Sequence, residues 1–293
     1  MASLKDVKTQ IVGIGKTKQI TKAMNMVASA KLRGAQQKME DFRPYTGKFG
    51  DAMSNMSGGM DPEQFPLMAV RPDIQTVDLL IITSDRGLCG SFNSNVFKVT
   101  EKLIAKLEGE GKKVTLVCCG KKGARYFKKT GLVRESYLDI MGAFQMFNAR
   151  QIAQEVATNF LAGESDEVRI IYGSFVSVGV QKPVSESLLP IQPVAEEEQE
   201  AAEGAAGHDY IYEPTPNEIM EVLLPLYLNV KVYHAMLEAG ASEQAARMTA
   251  MDNATTACTD MIKDLTLVYN KARQSAITAD LMDIVGGAEA LKG

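Results

Sequence analysis

Between Gly240 and Gly286 the chain runs for 45 residues without a glycine or a proline. A stretch that long, rich in Ala, Leu, Met, Lys, Arg and Gln, has nothing to stop a helix once it has started. Residues 242 to 291, SEQAARMTAMDNATTACTDMIKDLTLVYNKARQSAITADLMDIVGGAEAL, therefore restrict the fold more than any other segment. Apolar or small side chains fall at Met251, Ala254, Cys258, Met261, Leu265, Val268 and Ala272. Alternating steps of three and four are the seam of a coiled coil, narrower than the stripe of a globular helix, so this helix needs a partner helix. Its length would be about 70 Å at ~1.5 Å per residue.

The partner is legible at the other end of the chain. From Leu4 to Phe49, an apolar stripe passes through Leu4, Val7, Ile11, Ile14, Ile20, Met24, Ala28, Leu32, Ala35, Met39 and Phe42, which predicts a second long helix. Gly13, Gly15 and Gly34 each cost it about 1 kcal/mol relative to Ala, and Pro44 is expected to bend or interrupt it, so tertiary packing must hold it. Charge supports the pairing: residues 1–58 carry ten Lys or Arg against four Asp or Glu, and residues 209–293 carry six against twelve. The basic end lacks interleaved aromatics, which argues against nucleic-acid binding. GIGKT at Gly13–Thr17 imitates the end of a phosphate-binding loop, but Gln10 stands where that motif needs glycine and no strand precedes it.

Glycine and proline at residues 56–66, MSGGMDPEQFP, mark a break. After it the pattern changes to short continuous apolar runs, Val77–Thr83, Val114–Cys119 and Val168–Val176, of the kind found in strands buried on both faces. Helical patterns lie between them at Asn93–Leu107, Lys121–Lys129 and Ala143–Leu161. Alternation of this kind argues a small open sheet with parallel strands. Val184–Val194, with Pro190 and Pro193, reads as an edge or bulged strand. Adjacent Cys118 and Cys119 should point to opposite faces of their strand as core residues. The turn SDRGLCG, Ser84–Gly90, resembles a phosphate-binding turn only in its glycines, since neither G-x-G-x-x-G nor a Walker pattern is present. Ala195–Gly207 holds five Glu and no base and reads as a solvated loop. Helical pattern resumes near Pro216, which suits a first helical turn, and runs from about Asn217 to Ile284, with a kink expected at Pro225.

Composition narrows the function classes. At 293 residues, 45% hydrophobic and 23% charged, the chain is that of a soluble folded protein with one large or two ordinary domains. No apolar run approaches ~18 residues and MASLKDVKTQ has no signal-peptide core, placing it in the cytoplasm or on the membrane's cytoplasmic face. Four cysteines without C-x-x-C spacing and two histidines, His208 and His234, suggest neither a disulfide framework nor a zinc site.

Three blocks, KTKQITKAMNMVASAKLRGAQ at 16–36, ITSDRGLCGSFN at 82–93 and the 242–291 stretch, closely resemble the gamma subunit family of F-type ATP synthases, and the element order agrees over essentially the whole chain. The resemblance implies a fold that is α/β plus all-α. A long antiparallel, left-handed coiled coil of the N- and C-terminal helices carries an inserted small open-sheet, Rossmann-like α/β domain. The parts are residues 1–58 as the first helix, 59–194 as the α/β domain, 195–208 as an acidic flexible loop and 209–293 as the second helix. It also implies a rotor, with partners in the ring of alpha and beta subunits, the epsilon subunit and the c-subunit ring, on the cytoplasmic face of the bacterial plasma membrane. No catalytic residue, cofactor or metal is implied.

By the same resemblance, contacts with beta subunits fall at Arg273, Gln274 and Thr278 in YNKARQSAIT and at Met24 in ITKAM. Arg273 has the geometry to grip a carboxylate through two hydrogen bonds, and Gln274 and Thr278 share a helix face. The end LMDIVGGAEALKG, poor in charge and rich in small apolar residues, suits rotation inside an apolar sleeve. Two positions depart from the family pattern: Gly13 or Gly15, where a charged or bulkier residue is usual, and Ser91, where glycine is usual. Two other readings compete. A nucleotide- or metabolite-binding α/β enzyme with a coiled-coil arm would bind at the SDRGLCGSF turn, and a coiled-coil tether would self-associate.

Overall fold

A computed structural model of the chain describes residues 4–57, 64–192 and 215–290; the acidic loop at 195–208, His208 and the last three residues lie outside them. Five helices and five strands follow in the order α1 (Leu4–Ser57), β1 (Thr76–Ile82), α2 (Phe92–Gly109), β2 (Lys113–Cys119), α3 (Lys121–Phe127), β3 (Val133–Tyr137), α4 (Met146–Leu161), β4 (Glu167–Ser177), β5 (Val180–Leu189) and α5 (Pro216–Ala290). The chain divides into two compact units, residues 1–29 with 247–293, and residues 30–246. Both α1 and α5 contribute to each unit.

In the first unit α1 and α5 pair antiparallel. The Thr21 and Thr255 hydroxyls are 2.8 Å apart, and Asn25 Nδ2 donates to the Met248 carbonyl at 2.9 Å, so the numbers rise on one helix as they fall on the other. Buried and half-buried side chains on α1 include Leu4, Val7, Ile11, Ile14, Lys18, Thr21, Asn25 and Ala28, which alternate in steps of three and four, with Met24 half-buried beside them. The expected Ile20 is off this seam and 60% exposed. On α5 the covered positions include Met251, Thr255, Cys258, Ile262, Leu265, Tyr269 and Ala272, whereas Met261 and Val268 are 50% and 54% exposed. The positions seven apart are covered, and so is Ala254, but Ile262 and Tyr269 take the places expected of Met261 and Val268. A helix residue has neighbours at both i+3 and i+4, and apolar side chains stand at both here.

The second unit is built on one sheet in the order β3-β2-β1-β4-β5, parallel throughout except for the antiparallel edge strand β5. β1 buries both faces: Leu79 and Ile81 join α2 and Phe127 of α3, while Leu80 and Ile82 join α4 and the α5 residues Met220, Leu224, Leu228 and Val232. Cys118 and Cys119 divide between the same two layers. Pro183 lies within β5, where an edge position tolerates the missing N–H. Part of α1 joins the α5 layer through Phe42 on Tyr233, ring centroids 4.9 Å apart, and Phe49 and Met53 in the core.

Pro44 and Pro225 lie inside helices that continue through them: each removes one backbone N–H, and aromatic packing beside Pro44, with the Tyr45 ring 5.5 and 5.7 Å from those of Phe42 and Phe49, and core burial of Leu224 and Leu228 on either side of Pro225 hold the chain helical. The strand β3, VRESY, went unread because polar residues break its apolar pattern.

Candidate functional site

Two regions carried functional expectations, the turn after β1 and the exposed end of α5. In the turn, Ser84 and Asp85 have internal uses. Ser84 Oγ donates to the Arg86 carbonyl at 2.6 Å, Ser84 N donates to Asn93 Oδ1 at 3.1 Å, and Asn93 Nδ2 donates to Ser84 Oγ at 2.7 Å. Leu88 and Gly90 take positive φ of 63° and 56°. Asp85 accepts three backbone N–H groups: Lys121 at 2.9 Å and Asp139 at 3.0 Å on Oδ1, and Met141 at 2.9 Å on Oδ2. The carboxylate thus ties together the segments that follow β1, β2 and β3.

An open α/β sheet takes its ligand where strand order reverses, beyond the carboxyl ends of the strands. Here that place is between β1 and β4, and it is filled. Phe92 is buried and its ring lies against Gly173 so closely that a Cβ on that glycine would stand 2.7 Å from Cε2. The space left beside Ser91, Phe92 and Gly173 is about 10 Å³, too little for a nucleotide. Gly90 of the turn serves backbone geometry, and Ser91 at its end opens α2. GIGKT is helical within α1 and presents no loop to a phosphate.

At the other region, Arg273, Gln274 and Thr278 are all exposed on α5, and Met24 is half-buried on α1. Gln274 and Thr278 are drawn together because the Thr278 hydroxyl donates to the Gln274 carbonyl at 2.9 Å. Met24 is not brought to them. Its neighbour Asn25 bonds Met248, about 25 residues and hence ~37 Å along the helix from Arg273. What periodicity missed is the change beyond Ala276. From Ile277 to Glu289 every residue is exposed, including Leu281 at 57% and Ile284 at 68%. Counting along the pair from Thr21 and Thr255 sets Leu4, the first described residue of α1, opposite about Ala272, and no described residue of α1 lies further along. A contiguous apolar surface of that kind marks an interaction site.

Elsewhere the titratable groups are structural. Burial pushes the Cys118 thiol up to about 12 and that of Cys119 higher still, leaving both protonated and inert. His234, near Glu238, is lowered chiefly by burial. Among the described residues no cluster of His, Cys, Asp or Glu is arranged to hold a metal ion, and no helix is long and apolar enough to cross a membrane.

Comparison with known proteins bears on the same features. The family model described as ATP synthase matches residues 3–291. The ATP synthase gamma chain of Desulfotalea psychrophila is 65% identical over 292 residues, covering all of both chains. That of Nitratidesulfovibrio vulgaris is 53% identical over 296 residues, again covering both completely. Among solved structures, the central stalk and c-ring of the Tetrahymena thermophila mitochondrial ATP synthase contains a chain 28% identical, with a TM-score of 0.59, over 80% of this chain and 99% of that one. A helix pair whose longer member ends in uncovered apolar surface, a sheet whose ligand crevice is plugged, and full-length identity of this order lead to one assignment: the chain belongs to the ATP synthase gamma chain family.

Proposed function

We propose that the chain works as the central-stalk rotor of an F-type ATP synthase, coupling ion flow through a membrane ring of c subunits to ATP synthesis or hydrolysis at beta subunits. It is a non-catalytic subunit. The observation that carries the reading is the end of α5, where residues 277–289 expose Leu281, Met282, Ile284 and Val285 with no covering helix among the described residues. Such a surface is stable in water only when a partner covers it, and an apolar sleeve formed by alpha and beta subunits is the cover that rotation requires.

Coupling follows from symmetry. A single asymmetric helix pair inside a threefold ring cannot touch three identical subunits alike, so each orientation biases their conformational equilibria differently. Only contacts that differ between beta states transmit work. Arg273, Gln274 and Thr278 are assigned to those contacts, with Met24 as a second contact lower on the pair. Arg273 offers a planar fork to a carboxylate. The functional parts are residues 1–58, 59–194, 195–208 and 209–293, with the α/β part beside the epsilon subunit and c ring, at the cytoplasmic face of the plasma membrane.

Native mass spectrometry of the complex assembled around this chain tests the reading: one copy with three each of two ATPase subunits is expected, and a free chain or a homodimer would overturn it. In that complex Arg273→Ala should lower coupled ATP turnover several-fold while leaving assembly intact. Unchanged turnover would remove Arg273 from the contact.

A further inference from the structure

The flank of the sheet between edge strand β3 and helix α3 holds a groove of about 760 Å³ whose walls carry Lys121, Lys122, Arg125, Lys128 and Arg134. Its carboxylates are already committed. Asp85 is engaged by its three backbone N–H groups, and Glu135 Oε1 accepts the Ser136 N–H at 3.1 Å. Asp139 pairs with Lys121 at 2.7 Å, and the buried Asp78 pairs with Arg134 Nη1 at 2.7 Å. Lys122, Arg125 and Lys128 have no carboxylate within ion-pair distance among the described residues.

Arg134 adds a second and independent sign. Its Nε and Nη2 are buried and have no acceptor among the described residues. Buried donors without an acceptor are rare in native proteins and mark a place where a water, an ion or a ligand belongs. The groove also opens where Asp85, Lys121 and Leu138 leave the carboxyl ends of β1, β2 and β3, the end of an open α/β sheet at which ligands bind. Its size falls within the ~300–1,000 Å³ typical of small-molecule sites.

We infer that this groove is a binding site for an oligophosphate, free or carried by a nucleotide. A single carboxylate would answer one of the available cations. Three cations without carboxylate partners and the Arg134 guanidinium in the same wall call for a ligand with several negative charges distributed along a chain, and a triphosphate has that form. The site is separate from the plugged crevice between β1 and β4 and does not depend on the rotor assignment.

Isothermal titration of the full chain with sodium tripolyphosphate, at low salt and at about 0.2 M salt, is the test. One saturable site is expected, weakening as salt screens it. The variant Lys122→Ala/Arg125→Ala/Lys128→Ala should bind at least tenfold more weakly with an unchanged thermal unfolding midpoint. Arg134→Lys keeps a positive charge opposite Asp78 but removes the guanidinium from the groove wall, and should weaken binding several-fold. A parallel titration with ATP separates the sources: equal affinity extends the ligand class to nucleotides, and much weaker binding restricts it to inorganic oligophosphate. Absence of binding heat in the wild-type chain, or equal affinity in the triple variant, would overturn the inference.

Discussion

Replacing Asp85 by Asn tests whether the SDRGLCG turn is a structural tie or a ligand site. The Asn side chain keeps one oxygen, able to accept the Lys121 and Asp139 N–H groups as Oδ1 does at 2.9 and 3.0 Å, but sets an NH2 against the Met141 N–H that Oδ2 now accepts at 2.9 Å. A hydrogen bond to a charged group contributes about 1.5–3 kcal/mol, and the opposed donors add to the loss. Asp85→Asn should therefore cost about 2–4 kcal/mol. Asp85→Ala loses all three bonds but lets water reach the freed N–H groups, so its cost should be close to that of Asn and well below three times the single bond. At ~2–4 °C per kcal/mol for a protein of this size, the unfolding midpoint should fall by roughly 4–16 °C. Amide hydrogen exchange gives the sharper reading: in Asp85→Asn the Met141 amide should lose protection while those of Lys121 and Asp139 keep theirs. Unchanged protection at Met141 with unaltered stability would refute the tie and return Asp85 to the candidates for ligand binding.

Gly173→Ala would place a Cβ 2.7 Å from the Phe92 ring and should destabilise by about 1–3 kcal/mol, with Phe92→Leu recovering part of the loss in a double-mutant cycle. The Asp166 carboxyl is pushed up by burial, but the N–H groups of Thr76 and Gln75 and the Arg71 guanidinium outweigh this and hold it below its ordinary value. A carboxyl lowered on folding contributes stability above its unfolded pKa, about 3.9, and loses it as pH falls through the folded value. Urea midpoints should therefore fall below about pH 4, and Asp166→Asn should be less stable at pH 6 and flatter between pH 6 and 2.5. On α5, Ile262→Ala should cost about 1–2 kcal/mol and Met261→Ala under ~0.5 kcal/mol, as read from denaturant unfolding; the reverse order would put the seam back where periodicity alone set it.

Elements whose own residues declare their surroundings were legible. β1 reads as a strand because TVDLLII is apolar on both faces, and α1 and α5 read as helices because nothing in them stops one. β3 was not, since VRESY owes its place to what lies beside it: it pairs with β2 on one side only, and Arg134 is needed there to neutralise Asp78, a carboxylate with no exposed surface. Asp78 sits inside an apolar run, where a charge survives only when paired and hydrogen-bonded; its partners are 37 and 56 residues away in Thr115 and Arg134. Sequence distance of that order hides a pair from any pattern read along the chain. The groove is hidden for the same reason, because Lys121 to Lys128 and Arg134 share a wall only once β3 is known to be the edge strand.

The seam shows the complementary limit. Periodicity identified positions seven apart, Met251, Cys258, Leu265 and Ala272, because those are common to both heptad frames that the residues allow. The choice between the frames depends on which face α1 presents, and α1 turns out to place polar residues there, Lys18, Thr21 and Asn25. Thr21 finds Thr255, and Asn25 finds the Met248 carbonyl. A hydroxyl at position 255 is what Thr21 needs and Ala254 lacks, so the frame that seats Thr255 satisfies a buried polar group that the other would strand. The same antiparallel count that pairs these residues sets Leu4, the first described residue of α1, near Ala272, and the apolar end of α5 on which the rotor reading rests lies exposed beyond it.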